Sequence, residues 1–239
     1  MKGEIEYIEA KTAREFLLPL HNSGITPRIS HAFGWYIKDR LVAVCTFGKP
    51  ASNTLCFGVC GEEHSHQVFE LNRLCRVDDL EEQLSSFVSA CLRRLRGDHL
   101  IIVSYSDTEM KHHGYIYQAC NFIYTGVTKE RTDKYTEGNK HSRHYKEENQ
   151  TGLRKVRSAK HRYIFFCTHN AREKKEWMSK LKYPVLPYPK GDNENYILGQ
   201  YLQPKIVGGL IPLAPDNGES AASQSFSTPE ALPAQGVLF

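Results

Sequence analysis

Residues 84–95, LSSFVSACLRRL, carry apolar side chains at 84, 87, 88, 91, 92 and 95, the recurrence of one helix face. Acids precede the run at 78, 79, 81 and 82, and arginines close it at 93, 94 and 96, the polarity that complements a helix dipole. On either side lie runs that read as strands, VFELNRLCRV at 68–77 and HLIIVSYS at 99–106. A long helix set between two strands, with antiparallel runs as neighbours, predicts an α/β (α+β) fold: a mixed, largely antiparallel sheet with helices on both faces.

The rest of the chain fills in that plan. EIEYIEA at 4–10 alternates as a half-buried strand, and TAREFLLPLH opens with a Thr12–Glu15 capping box and predicts a helix closing near His21. FGWYIKDRLVAVCTFG reads as a hairpin around Asp39-Arg40, and TLCFGVC at 54–60 as a further strand. After the long helix come a short helix within HHGYIYQAC, the strand NFIYTGV, a charged irregular stretch from Lys129 to Ser158, the strand HRYIFFC and the helix NAREKKEWMSKL. Residues 1–190 form the expected domain. From 191 the chain is expected to run as an extended tail, disordered from about 212, where Pro, Ser, Ala, Gln and Gly dominate.

No run of 18 apolar residues occurs, so no membrane span is expected, and the acidic start MKGEIEYIEA predicts a protein kept in the cytoplasm of the cell that makes it. Seven cysteines without a CxxC pair, most inside apolar runs, predict reduced buried thiols. Charge is distributed unevenly. Residues 126–190 hold 17 Lys and Arg against 7 Asp and Glu, a surplus of ten, whereas 1–125 and 191–239 are net acidic. A basic segment of this kind suits a polyanion, and Arg154, Lys155, Arg157, Lys160 and Arg162 ahead of an aromatic strand are candidate phosphate contacts. The same charges would equally serve as a solvated strand edge.

Ser104, Tyr105 and Asp107 close the strand after the long helix, and HHGYIYQACNFIYTG follows at 112–126. Side chains at the C-terminal end of such a strand line the crevice of an open sheet. Asp107 there suits a base or an orienting acceptor, and Tyr117 a proton donor; a helix cap and core tyrosines are the alternative roles. Glu70 in VFELNR and Tyr124 are further candidates for substrate contact.

The order of elements resembles the GCN5-related N-acetyltransferases, in which the strands flanking the long helix splay around the cofactor. The motifs are more specific. ELNRLCRVDD, SYSDTEMKHHGYIYQACNFIYTG, the isolated LHNSG and the late KHRYIFF and KYPVLPYPK, over about residues 15–190, resemble the Mom family of bacteriophage DNA-modification proteins. The resemblance implies an acetyltransferase-like enzyme that places a carbamoylmethyl group on adenine N6 in double-stranded DNA, shielding phage DNA from host restriction. It carries functional positions onto His21, Arg73, Asp107 and Tyr117, and departs where the family's His-Tyr pair is His21-Asn22. It also implies a small-molecule group donor and raises a metal, iron among them, for which His21, Asp107, His112 and His113 are the candidate ligands. The loop RVDDLEEQL has four acids and no glycine where a pyrophosphate would sit, which disfavours acyl-coenzyme A. Two other readings stay open: an acyl-coenzyme A-dependent N-acetyltransferase acting on an amine or a protein, and a DNA-binding protein without catalysis.

Overall fold

The helix expected at 84–95 is present, and the strands around it set the architecture. The computed structural model describes residues 3–21, 27–77, 83–135, 152–192, 203 and 205–208. In chain order they form β1 (Glu4–Tyr7), α1 (Ala10–Leu20), β2 (His31–Ile37), β3 (Arg40–Gly48), α2 (Asn53–Cys60), β4 (Val68–Arg76), α3 (Leu84–Leu95) and β5 (Leu100–Asp107). There follow α4 (Tyr115–Ala119), β6 (Ile123–Val127), β7 (Arg131–Lys134), β8 (Arg154–Arg157), β9 (Lys160–Cys167), α5 (Ala171–Lys180) and β10 (Ile206–Val207). Seven strands make one sheet in the order β1-β2-β3-β4-β5-β9-β6, and β10-β8-β7 make a second. Every pair in the large sheet is antiparallel except β4–β5, joined by the α3 crossover.

Strand alternation divides the core. Leu100 and Ile102 turn to one face, where Trp35, Phe87, Leu95 and Phe122 pack under α3 and α4. Ile101 and Val103 turn to the other, against Val59 of α2 and Trp177 of α5, while Ala13 and Leu17 of α1 cover Val44 and Cys75 farther along that face. All seven cysteines are buried free thiols, as expected. Among the described residues no helix is long and apolar enough to cross a membrane.

Three expectations are corrected. Residues 53–60 form a helix instead of a strand: Ser52 caps it by accepting the Leu55 N–H, and Cys56, Val59 and Cys60 share a buried face at helical spacing. Helix α1 begins at Ala10 with Glu9 as an N-cap that makes no side-chain bond, so Thr12 lies inside it and forms no capping box. The chain leaves the sheet early, since Ile8 N–H still bonds Ala32 C=O and Glu9 C=O already accepts from Ala13. The stretch 129–158 is not irregular throughout, because β7 and β8 pair within it, Arg157 meeting Asp133 at 2.7 Å and Arg154 donating to Thr132. The 33–48 hairpin is present, with its turn one residue earlier than expected and Arg40 already in β3. Its turn falls at Lys38-Asp39, both with positive φ, as a type I′ turn requires.

The compact unit that contains every described residue runs to Gly208, since β10 returns to pair with β8. The tail expected from about 212, the acids at 78–82 and Asn22 lie outside the described residues.

Candidate active site

Strands β4 and β5 stay paired for three residues only, Val68–Glu70 against Ile101–Val103. Beyond that point β4 follows β3 as far as Arg76 and β5 follows β9 as far as Asp107, so the sheet divides into two diverging halves. Ser104 sits at the fork, where its hydroxyl donates to Leu71 C=O across the gap at 3.2 Å.

The face covered by α1, α2 and α5 carries a row of charges at this fork. Two-residue steps from Val68, Val103 and Ile164 bring Glu70, Tyr105 and Asp107 to that face, and Arg162 and Lys160 beside them on β9. Arg73 would point the other way in a regular strand. An irregularity opposite Thr46 and Phe47 inserts Asn72, whose side chain accepts from Thr46 Oγ1 and donates to Arg28 C=O, and so returns Arg73 to the face of Glu70. His21, at the C-terminus of α1, lies within reach of the Arg73 charge.

These neighbours set the proton affinities. Burial and then the Arg73 guanidinium push His21 down to about 4, which keeps its imidazole neutral. Burial raises Glu70 above the usual carboxylate range against the opposing pull of Arg73 and Lys160, and its carboxylate accepts no hydrogen bond among the described residues. Burial would also raise Asp107, but bonds from Lys160 Nζ, from Ser158 Oγ at 2.6 Å and from Glu109 N–H at 3.1 Å leave it below its ordinary value. Asp107 is thus a fixed anion, and Glu70 the carboxyl group of the row whose proton affinity is raised. Tyr105, raised first by burial and then by the Glu70 charge, stays a phenol. Arg162 donates to Thr125 and lies 3.3 Å from the ring centre of Tyr183.

The expected site residues therefore separate. His21, Glu70, Arg73, Tyr105 and Asp107 gather on one face. Tyr117 packs on the α3 side against Phe122 and Tyr163, with ring centres 5.4 and 5.3 Å apart. Tyr124 is buried there with its hydroxyl 2.8 Å from His161 Nδ1, so it offers no stacking surface. Of the five expected phosphate contacts, Arg154, Arg157, Lys160 and Arg162 are engaged by Thr132, Asp133, Asp107 and Thr125, and Lys155 is half-buried beside Arg157. Lys160 and Arg162 belong to the charged row, and only their alternation with Ile164 on β9 would have signalled it.

The metal-ligand set His21, Asp107, His112 and His113 is not brought together. Among the described residues the one group of ligand atoms close enough for an ion is Glu63, His64 and Glu176, and the Lys180 ammonium already contacts all three. These residues do not fit a resident metal.

A model of the Mom protein family matches residues 2–190. The chain belongs to the Mom protein family. The match spans the whole fork and all of the charged row. No curated protein matches the chain. Solved structures similar to this Mom protein include an IAA acetyltransferase from Bacillus cereus, 13% identical with TM-score 0.43, covering 68% of this chain and 98% of that one. An N-acetyltransferase from Staphylococcus aureus is 10% identical with TM-score 0.45, covering 70% and 100%. A GNAT family acetyltransferase from Elizabethkingia anophelis, with acetyl-CoA bound, is 8% identical with TM-score 0.38, covering 68% and 97%. Likenesses at these values carry no statement about chemistry.

Proposed function

We propose that this Mom family chain is a transferase that adds a carbamoylmethyl group to the N6 amino group of adenine in double-stranded DNA, protecting phage DNA from restriction. The family match over 2–190 carries the reading, and the charged row at the fork supports it. In the step we favour, adenine N6 attacks the methylene carbon of a carbamoylmethyl donor. The N–C bond forms, the bond from methylene to leaving group breaks with its electron pair going to that group, and the N6 proton passes to Glu70. A carboxylate whose proton affinity is raised by burial suits that transfer, a contribution of about 10²–10⁴-fold in rate. Arg73 and Lys160, the cations on either side of Glu70, stabilise charge growing on the leaving group. Neutral His21 accepts a hydrogen bond from the substrate without adding a cation.

N6 within a base pair is poorly exposed to such an attack, so the adenine is turned out of the duplex. The half-buried Tyr105 and the Tyr183 ring beside Arg162 are the aromatic surfaces on the charged face. The test is to express the chain in a bacterium, digest total DNA to nucleosides and look by mass spectrometry for carbamoylmethyl-deoxyadenosine. Its appearance supports the assignment; unmodified deoxyadenosine from cells making folded protein refutes it. Acyl-coenzyme A-dependent transfer, the other reading of the fold, would leave the nucleosides unchanged and label an amine or a protein.

A further inference from the structure

The flank of α3 borders two adjoining hollows, about 450 and about 350 Å³, that share Ser89 and Arg93. The larger lies where the β9 edge loses its neighbour: β6 pairs with Ile164 through Ile123, and nothing in β6 continues alongside Phe165 and Phe166. Its floor is the half-buried Phe165, on the α3 side of β9, and its rim carries three cations, Arg93 and Arg96 from the end of α3 and Lys174 from α5. Arg96 and Lys174 converge closely enough that both act on the buried Cys167 thiol between them.

No carboxylate lines either hollow; Asp98, whose charge also reaches Cys167, is exposed. The α3 arginines are used differently. Arg94 donates to Ile5 C=O and ties the helix to β1. Arg93 makes no hydrogen bond or ion pair among the described residues, and the buried Nε of Arg96 has no acceptor among them. A buried guanidinium N–H without an acceptor is unfavourable, and phosphate is the group whose geometry a guanidinium pair matches. An apolar floor under that rim suits the face of a base.

We propose that this hollow binds a nucleotide, its phosphate held by Arg93, Arg96 and Lys174 and its base laid on the floor at Phe165. The site is distinct from the charged row. It lies level with Ile102, the β5 partner of Phe165, and Asp107 is five residues further along that strand, about 17 Å away. The nucleotide comes either free or as one unit of a nucleic-acid strand, with the same chemistry at the rim.

Calorimetric titration of the full chain with adenosine 5′-monophosphate, adenosine and a short single-stranded deoxyoligonucleotide tests this. The monophosphate or the oligonucleotide binds, adenosine binds at least about tenfold more weakly, and Arg93→Gln/Arg96→Gln loses about tenfold or more in affinity. Lys174→Gln loses affinity in the same direction, and Lys175→Gln, which removes an exposed cation next to it, does not. Tighter binding of the oligonucleotide identifies a strand as the source, and equal or tighter binding of the monophosphate a free nucleotide. Absence of binding by either at millimolar concentration overturns the proposal. So does adenosine binding as well as its phosphate, or equal losses in Lys174→Gln and Lys175→Gln.

Discussion

Asp107 and Tyr117 are ten residues apart in sequence and end on opposite faces of one sheet, in surroundings of opposite kind. On the face of Asp107, charges crowd together half-buried and their proton affinities are displaced, His21 downward and Glu70 upward. On the face of Tyr117, polar atoms are absorbed into packing. Tyr163 donates to His113 C=O, Gln118 bonds the Tyr163 hydroxyl, and Tyr124 meets His161. Burial there pushes Tyr163 up to about 12, a phenol held inert. One face is built for rigidity and the other keeps unsettled charge where a substrate can settle it. That difference follows from two-residue alternation and one inserted residue, not from closeness in sequence.

The comparison can be broken at either face. On the packed side, Phe122→Ala removes a fully buried ring set between Tyr117 and Phe165. It should cost about 3–5 kcal/mol in denaturant unfolding. A loss below ~1 kcal/mol would show that the aromatic layer is not what holds α4 to the sheet.

At the charged face, Asp107→Asn removes the anion that holds Lys160. Lys160 then bears on Glu70 alone and lowers its proton affinity, and modification should fall by about 10²-fold without a matching loss of stability. Tyr117→Phe keeps the ring contacts and should cost less than about tenfold in the same nucleoside assay. Equal losses in the two variants would erase the functional distinction between the faces.

Much of this was legible in sequence. The α3 periodicity, the flanking strands and the position of Asp107 at a strand end followed from spacing, because each depends on local pattern. The helix at 53–60 was missed because Cys, Phe and Val read as strand, and only Ser52 gave a hint of a cap. The role of Lys160 and Arg162 was missed for a different reason. A basic run suggests solvent or phosphate, and nothing local shows that β9 lies beside β5 and turns both cations toward Glu70. The grouping of Arg73 with Glu70 depended on the irregularity at Asn72, a long-range pairing with Thr46.

A third test uses pH. His21 titrates at about 4 when folded against 6.5 unfolded, so between those values the unfolded chain binds a proton that the folded chain does not. Stability is therefore unaffected by this group above pH 6.5 and falls as pH drops toward 4, by about 3 kcal/mol in all. His21→Gln should flatten that part of the curve in urea titrations at successive pH values. An unchanged slope would mean that His21 is solvated and no part of the row.

The smallest effect belongs to the β7–β8 hairpin. Arg157 is paired with Asp133 and partly exposed, so Arg157→Gln should change stability by no more than about 1 kcal/mol. It should leave the salt dependence of DNA binding unchanged, where a lost phosphate contact would flatten the log–log slope by about 0.9. A slope change of that size would return Arg157 to the DNA surface.

The central claim is that the charged row at the β4–β5 fork performs the transfer, with Glu70 as its base. Mass spectrometry of deoxynucleosides from cells expressing either the wild-type chain or Glu70→Gln, at equal levels of folded protein, tests it most directly. We expect carbamoylmethyl-deoxyadenosine with the wild type and a loss of about 10²-fold or more with Glu70→Gln. Equal modification by the two chains would contradict the assignment and move the base away from β4.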